Sequence, residues 1–246
     1  MTSTLSYDAM LELIAERSVA LCSSVAGAFD ARIPGCPDWT GRDLVAHLGK
    51  VQRSWAANVA AGPADQPVDE DAIKELEPTG DLLDWSERST ETLVTALREA
   101  GPDRGAWVWW GEPALSGAIA RHQVQEAMVH AWDADDAIGR AGALPRAAAL
   151  DGIEEFLATG LPFGGRWAAP ATIGLVATDG SDQGWRVVMS AEDRRLEAGD
   201  GAGDVVLRGT ASDLVLAFYR RRGVDSLSVT GDRELAERFL GWFRTD

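Results

Sequence analysis

Along the first half of the chain, apolar residues recur every three or four positions, which is the period of an amphipathic helix. One of these segments has a defined start, because Thr40 stands three residues before Asp43 in the order of a capping box. Four helices joined by short and medium connections predict an antiparallel four-helix bundle. The predicted helices cover residues 5–30, 40–61, 81–100 and 114–138.

After residue 140 the pattern changes to short runs rich in Val and Ile, which predict strands. Two helical segments, 211–223 and 233–243, accompany these runs, and a linker with a short helix precedes them. The second half therefore predicts a small α+β domain, and we expect domains of residues 1–140 and 141–246. The predicted strands are "ATIGLVATD" (171–179), "GWRVVMSA" (184–191), "DVVLRG" (204–209) and "LSVTGD" (227–232).

A chain of 246 residues, 46% of them apolar, is long enough for one large globular domain or two ordinary ones. The net charge of −16 argues against binding to nucleic acids and acidic membranes, which attract cationic surfaces. No stretch has the length of a transmembrane helix, and the N-terminus lacks the basic region of a signal peptide. We expect a soluble cytoplasmic protein, with monomer and homodimer both open.

Four polar residues of the stretch "RHQVQEAMVHAWD" fall within one sector of about 80° on the fourth predicted helix. Ile119 lies in the same sector one turn earlier, so the polar ridge continues an apolar stripe. That placement predicts a ridge that faces the protein interior, because a solvated face would lie opposite the stripe. The four residues are His122, Glu126, His130 and Asp133.

His47 lies at the border of the apolar stripe of the second predicted helix and can point towards the same interior. Two imidazoles and one carboxylate with a vacant position are the usual ligands of a catalytic zinc ion, and bundle cores often hold such sites. A Glu-x-x-x-His pair on one helix is also common without a metal, and His47 alone fits a core-edge histidine. The spacing does not decide between His122 and His130 as the second imidazole.

Three stretches resemble the mycothiol-dependent maleylpyruvate isomerase family. "CPDWTGRDLVAHLGKV" (36–51) is similar to its first signature, roughly C-P-G-W-T-x-x-D-L-x-A-H-L, and "VQEAMVHAWDAD" (124–135) is similar to its second, roughly A-H-E-x-x-x-H-x-W-D. "ASDLVLAFYRRRGVDSLSVTGD" (211–232) resembles the C-terminal domain of the family. The sequence departs from the signatures at Asp38, where the family has glycine, and at Gln125, where histidine is frequent.

The resemblance implies an α+β protein, with a DinB-like four-helix bundle followed by a smaller sterol-carrier-like domain. It implies a divalent metal, normally zinc, on His47, Glu126 and His130, which leaves His122 outside the triad. It also implies mycothiol as thiol cosubstrate and a catalytic arginine at Arg221, although the run of three arginines from residue 220 to 222 leaves the register open.

The function that we expect is addition of a metal-activated thiolate to a small electrophile, as in an isomerase or a thiol S-transferase. Arg221 would hold a substrate carboxylate bidentately. One alternative is a zinc-dependent hydrolase with bound hydroxide as nucleophile. Another is a non-catalytic module that binds a small ligand. Three tryptophans just before the fourth helix are expected either in the core or at the entrance of the site: Trp107, Trp109 and Trp110.

Overall fold

The computed structural model describes residues 5–180 and 183–243. It contains two compact units, one through Gly142 and one from Ala143. The first unit contains α1 (Tyr7–Val25), β1 (Arg32–Ile33), β2 (Cys36–Thr40), α2 (Gly41–Ala61), α3 (Leu82–Ala100) and α4 (Ser116–Ala137). The second contains α5 (Arg146–Gly160), β3 (Ala171–Ala177), β4 (Gln183–Met189), β5 (Arg194–Gly199), β6 (Val205–Gly209), α6 (Ala211–Phe218), β7 (Ser228–Gly231) and α7 (Arg233–Leu240).

The N-terminal unit is a bundle in which each of the four long helices contacts the other three. Trp85 of α3 is fully buried between the helices, and its ring lies so close to Gly49 of α2 that a Cβ there would be 2.3 Å from it. The small residue lets the two helices approach closely. The four predicted helices are confirmed, and with the smaller second unit they confirm the α+β fold class.

Helix α2 begins where the sequence indicates. Thr40 accepts a hydrogen bond from the backbone N–H of Asp43 at 3.4 Å, and the Asp43 carboxylate accepts one from the Thr40 N–H at 2.8 Å. This reciprocal capping box fixes the first turn of the helix that carries His47. The residues before α2, Arg32–Thr40, fold into the antiparallel hairpin of β1 and β2, which the sequence did not predict.

The C-terminal unit is a five-stranded sheet with strand order β5-β4-β3-β6-β7. Strands β3 and β6 pair in parallel, and the other neighbours are antiparallel. Helix α6 packs on α5 and β6, and α7 packs on β6 and β7. The structure differs from the sequence prediction at two places. Strand β5 was not predicted. The helix predicted over 211–223 ends at Phe218, because Arg220 has a left-handed φ of 58° that cannot continue a helix.

Within the described ranges, no helix combines the length and the apolar character needed to cross a membrane.

Candidate metal centre

Helix α4 is buried over most of its circumference, and polar side chains share that burial with apolar ones. His122 and His130 are both buried, and Glu126 lies between them one turn from each. Because residues four apart lie on one face of a helix, the three side chains form a ridge. The ridge faces inward, as the alignment with the apolar stripe predicted.

The structure brings His47 of α2 to the same ridge. His47 Nε2 lies 3.9 Å from Glu126 Oε2, and His130 Nε2 lies 3.5 Å from the same oxygen. One potential ligand atom from each of the three residues lies within 4.8 Å of the others. The side chains therefore converge on one point, from two helices that are separate in the sequence.

Asp133 occupies the position behind His130. Its side chain is fully buried, and its Oδ2 lies 3.0 Å from His130 Nδ1. When Nδ1–H donates to this carboxylate, the other ring nitrogen, Nε2, carries the lone pair on the side of Glu126. A carboxylate that orients a histidine in this way is typical of metal sites.

The electrostatics of the triad favour a cation among these residues. Burial alone would raise the pKa of the Glu126 carboxyl, but the three surrounding histidines outweigh it and hold the pKa well below its ordinary value. Burial would lower the pKa of His130, whereas Asp133 and Glu126 raise it to about 9. Glu126 and Asp133 therefore stabilise positive charge at this point.

The hydrogen bonding of one carboxylate oxygen indicates whether the residues fit a metal ion. Glu126 Oε2 is buried and has no hydrogen-bond partner among the described residues. A buried carboxylate oxygen without a partner costs free energy unless a cation satisfies it. Ligands of a tetrahedral zinc ion lie about 3.4 Å from one another, close to the measured separations from this oxygen. The donor set, and a buried oxygen that accepts no hydrogen bond, both fit a divalent metal ion.

His122 contacts the other oxygen of the same carboxylate, since its Nε2 lies 3.8 Å from Glu126 Oε1. Its ring packs among three indoles, with centroid distances of 5.9 Å to Trp55, 5.9 Å to Trp109 and 5.0 Å to Trp110. His122 therefore borders the site through Glu126 and faces an aromatic cluster, whereas His47 and His130 share Oε2.

A further tryptophan contacts the triad itself. Trp39, at the end of the β1–β2 hairpin, lies 4.6 Å from the His47 ring and 6.2 Å from the His130 ring between centroids. The sequence did not predict that Trp39 or Trp55 lies near the site. The available signal was the position of Trp39 immediately before Thr40, the residue that starts the helix of His47.

Arg221 lies in the C-terminal unit, just after α6. Its backbone N–H donates to the Leu216 carbonyl at 2.8 Å and its Nη1 donates to the Tyr219 carbonyl at 2.9 Å. Arg220 donates to the carbonyls of Gly241 and Phe243, and Arg222 forms an ion pair with Asp213. The three neighbouring arginines thus have different partners within their own unit.

The departures from the family signatures do not remove a member of the triad. Asp38 is exposed, and its carbonyl accepts a hydrogen bond from Arg32 at 3.4 Å. Gln125 is buried next to Glu126 in the helix. Cys36, which begins β2, is buried and not disulfide-bonded.

Two family models match the chain. The model for the mycothiol maleylpyruvate isomerase N-terminal domain matches residues 11–135, and the model for the C-terminal domain of the same family matches residues 147–238. The chain therefore belongs to the mycothiol-dependent maleylpyruvate isomerase family, which is a family of enzymes. The resemblance noted in the sequence is confirmed.

Two solved structures share the fold: crystal structures of the mycothiol-dependent maleylpyruvate isomerase and of a variant with one histidine replaced by alanine. Each has a TM-score of 0.62 and 18% sequence identity, and the alignment covers 94% of this chain and 96% of the other. A comparison with curated proteins gives no significant match.

Proposed function

We propose that this protein is a mycothiol-dependent metalloenzyme that isomerises or S-conjugates a small electrophile. The observation that carries the proposal is the convergence of His47, Glu126 and His130, with a buried carboxylate oxygen at its centre. Family membership supports mycothiol as the thiol, since the family is defined by that dependence.

Zinc is the metal that we propose, because two imidazoles and one carboxylate are a common catalytic set for it and leave one position for a further ligand. When bound, such an ion would lower the pKa of a coordinated thiol enough to keep it ionised at neutral pH. The chain supplies the ligand atoms, and Asp133 holds the His130 ring in the required orientation.

The covalent chemistry is nucleophilic addition to an activated double bond. The thiolate sulfur forms a bond to one alkene carbon, and the π electrons move onto the adjacent carbonyl group. Rotation about the new single bond followed by expulsion of the thiolate gives the trans isomer. Protonation at carbon gives the S-conjugate instead.

Arg221 is proposed to bind the carboxylate or carbonyl oxygen of the substrate. A guanidinium matches these groups bidentately and stays protonated throughout. The choice of Arg221 comes from its place in the C-terminal stretch that resembles the family, residues 211–232.

The experiment is calorimetric titration of mycothiol into the zinc-loaded protein and into the metal-free protein. We expect the zinc-loaded form to bind at least about tenfold more tightly. Equal affinity of both forms would contradict the mechanism. A zinc-loaded protein that hydrolyses esters without binding mycothiol would indicate the hydrolase instead.

His122→Gln is the matched control for His47→Ala in this titration. His122 touches the same carboxylate but lies beside its other oxygen. We expect His122→Gln to retain zinc and mycothiol binding, whereas His47→Ala loses both while its circular dichroism stays that of the folded protein.

A further inference from the structure

Indole rings from three separate elements surround the candidate metal centre. Trp39 of β2 contacts His47 and His130 directly. Trp55 of α2 and Trp109 and Trp110 of the α3–α4 connection contact His122 instead. We call these last three residues the indole cluster. It begins one side chain away from Glu126, because His122 Nε2 is 3.8 Å from the Glu126 carboxylate.

Two members of the indole cluster, Trp109 and Trp110, lie on a loop that is closed by backbone hydrogen bonds. Ala106 N–H donates to the Ala114 carbonyl at 3.0 Å, and Ser116 N–H donates to the Arg104 carbonyl at 2.8 Å, so the two ends of the loop are tied together. Gly111, at a φ of 91°, supplies the turn between them. These hydrogen bonds close the base of the loop that carries Trp109 and Trp110.

Exposure differs within the cluster. Trp55 and Trp110 are buried, whereas Trp109 is 42% exposed and lies edge-to-face against both Trp110 and the His122 ring. Buried indoles are explained by core packing. An indole that keeps so much exposed surface next to a candidate catalytic centre offers a ligand a flat apolar contact.

Indole rings attract planar aromatic groups by stacked and edge-to-face contacts, beyond the gain from area burial alone. A small hydrated dianion would gain little from such a surface and would lose hydration there. We propose that the electrophile is an α,β-unsaturated ketone or aldehyde with a planar aromatic substituent, which packs on the exposed ring of Trp109. This inference rests on the proposed function.

The reaction of such a compound balances without an oxidant or a reductant. The sulfur of mycothiol forms a bond to the carbon β to the carbonyl, and the π electrons move to the carbonyl oxygen. The α carbon then takes a proton from solvent, which replaces the proton that the thiol released. The product is a thioether.

The test compares two ligands of similar apolar area, benzylideneacetone and its cyclohexyl analogue, by calorimetry with the zinc-loaded protein in the absence of thiol. We expect benzylideneacetone to bind about three- to tenfold more tightly, from stacking alone. Trp109→Ala should reduce this preference to less than about twofold. Equal binding of both ligands, or an unchanged preference in Trp109→Ala, would overturn the inference.

Trp107→Ala is the matched control, since Trp107 lies in the same loop and stacks on Trp55 at 5.9 Å. It should keep the preference for the aromatic ligand. Turnover with mycothiol then separates the two proposals. Thioether formation at equal kcat/KM for both ketones would refute the aromatic substrate and leave the proposed function intact. Absence of mycothiol binding and of thioether formation would refute both.

Discussion

Helices α3 and α4 belong to the same bundle, have 19 and 22 residues, and bury their surfaces in different ways. Helix α3 buries a stripe on one side and leaves charged residues on the other. Helix α4 buries most of its circumference, including His122, His130 and Asp133. The burial of ionisable groups along a helix costs free energy that apolar side chains would not, so α4 carries a cost that α3 does not.

The polar residues that α3 does bury are satisfied within the fold. Ser89 accepts from Arg53 at 2.7 Å and donates to the Trp85 carbonyl at 2.8 Å, and Thr90 donates to Gln52 at 2.8 Å. On α4, the Oε2 atom of Glu126 is buried without such a partner in the described part of the chain. Polar burial with complete hydrogen bonding supports the fold, whereas an unsatisfied carboxylate oxygen between two histidines indicates a ligand.

The largest expected effect comes from His130→Ala on α4. If His47, Glu126 and His130 bind zinc as proposed, removal of one of the three should reduce the zinc content from about one ion per chain to less than about a tenth, with loss of mycothiol binding. Metal analysis of the purified variant measures this. We expect the bundle of this variant still to fold, because α1, α2 and α3 keep their contacts with one another.

A substitution on α3 should have the opposite effect, with lower stability and unchanged zinc content. Trp85→Ala removes a fully buried indole that packs on Gly49 and donates to the Glu75 carbonyl at 2.9 Å. We expect the free energy of unfolding to fall by about 3–5 kcal/mol. Denaturant unfolding measures the loss, and zinc per folded chain should not change.

Trp85→Phe serves as the milder variant if the alanine protein does not fold. It keeps an aromatic ring but loses the indole N–H, so a smaller loss of stability is expected. A drop in zinc content of the folded phenylalanine variant would show that α3 contributes to the metal centre, and would break the contrast between the two helices.

An intermediate effect is expected for Asp133, which touches His130 and not the point where the triad converges. Asp133→Ala should weaken zinc binding by roughly 10- to 100-fold, because the His130 ring loses the carboxylate that orients it. Competition with a chromophoric chelator measures the affinity. Asp133→Asn keeps an acceptor for Nδ1–H and should lose less, and equal losses in both variants would argue for a purely structural role.

Much of the fold follows from local signals in the sequence. The Thr40–Asp43 box marks the start of α2, and the apolar spacing predicts all four bundle helices. Strand β5 was not predicted because Arg194–Gly199, at the edge of the sheet, contains a single large apolar residue, Leu196. The early end of α6 depends on the left-handed backbone of Arg220, for which the residue type gives no signal.

The site could be predicted only in part. Helical spacing aligned His122, Glu126 and His130 on one face, but it could not tell the two histidines apart. Tertiary contacts distinguish the two histidines. His47 approaches the Glu126 oxygen that His130 also faces, whereas the indole cluster packs around His122. The assignment of His47, Glu126 and His130 as ligands stays a prediction until zinc is measured.

The smallest expected effect concerns the starts of the two helices. Asp81 caps α3, since its carboxylate accepts from the N–H groups of Leu83 and Asp84 at 3.0 and 3.1 Å. Helix α4 has no side-chain cap, because its N-cap residue is Leu115. Asp81→Ala should lower the free energy of unfolding by roughly 1 kcal/mol. Asp81→Asn, which keeps the acceptor, should cost only a fraction of that in the same urea titration. Helix α3 thus takes part of its stability from its own cap, while α4 relies on the loop hydrogen bonds that also position the indole cluster, so neither Asp81 variant should alter zinc binding.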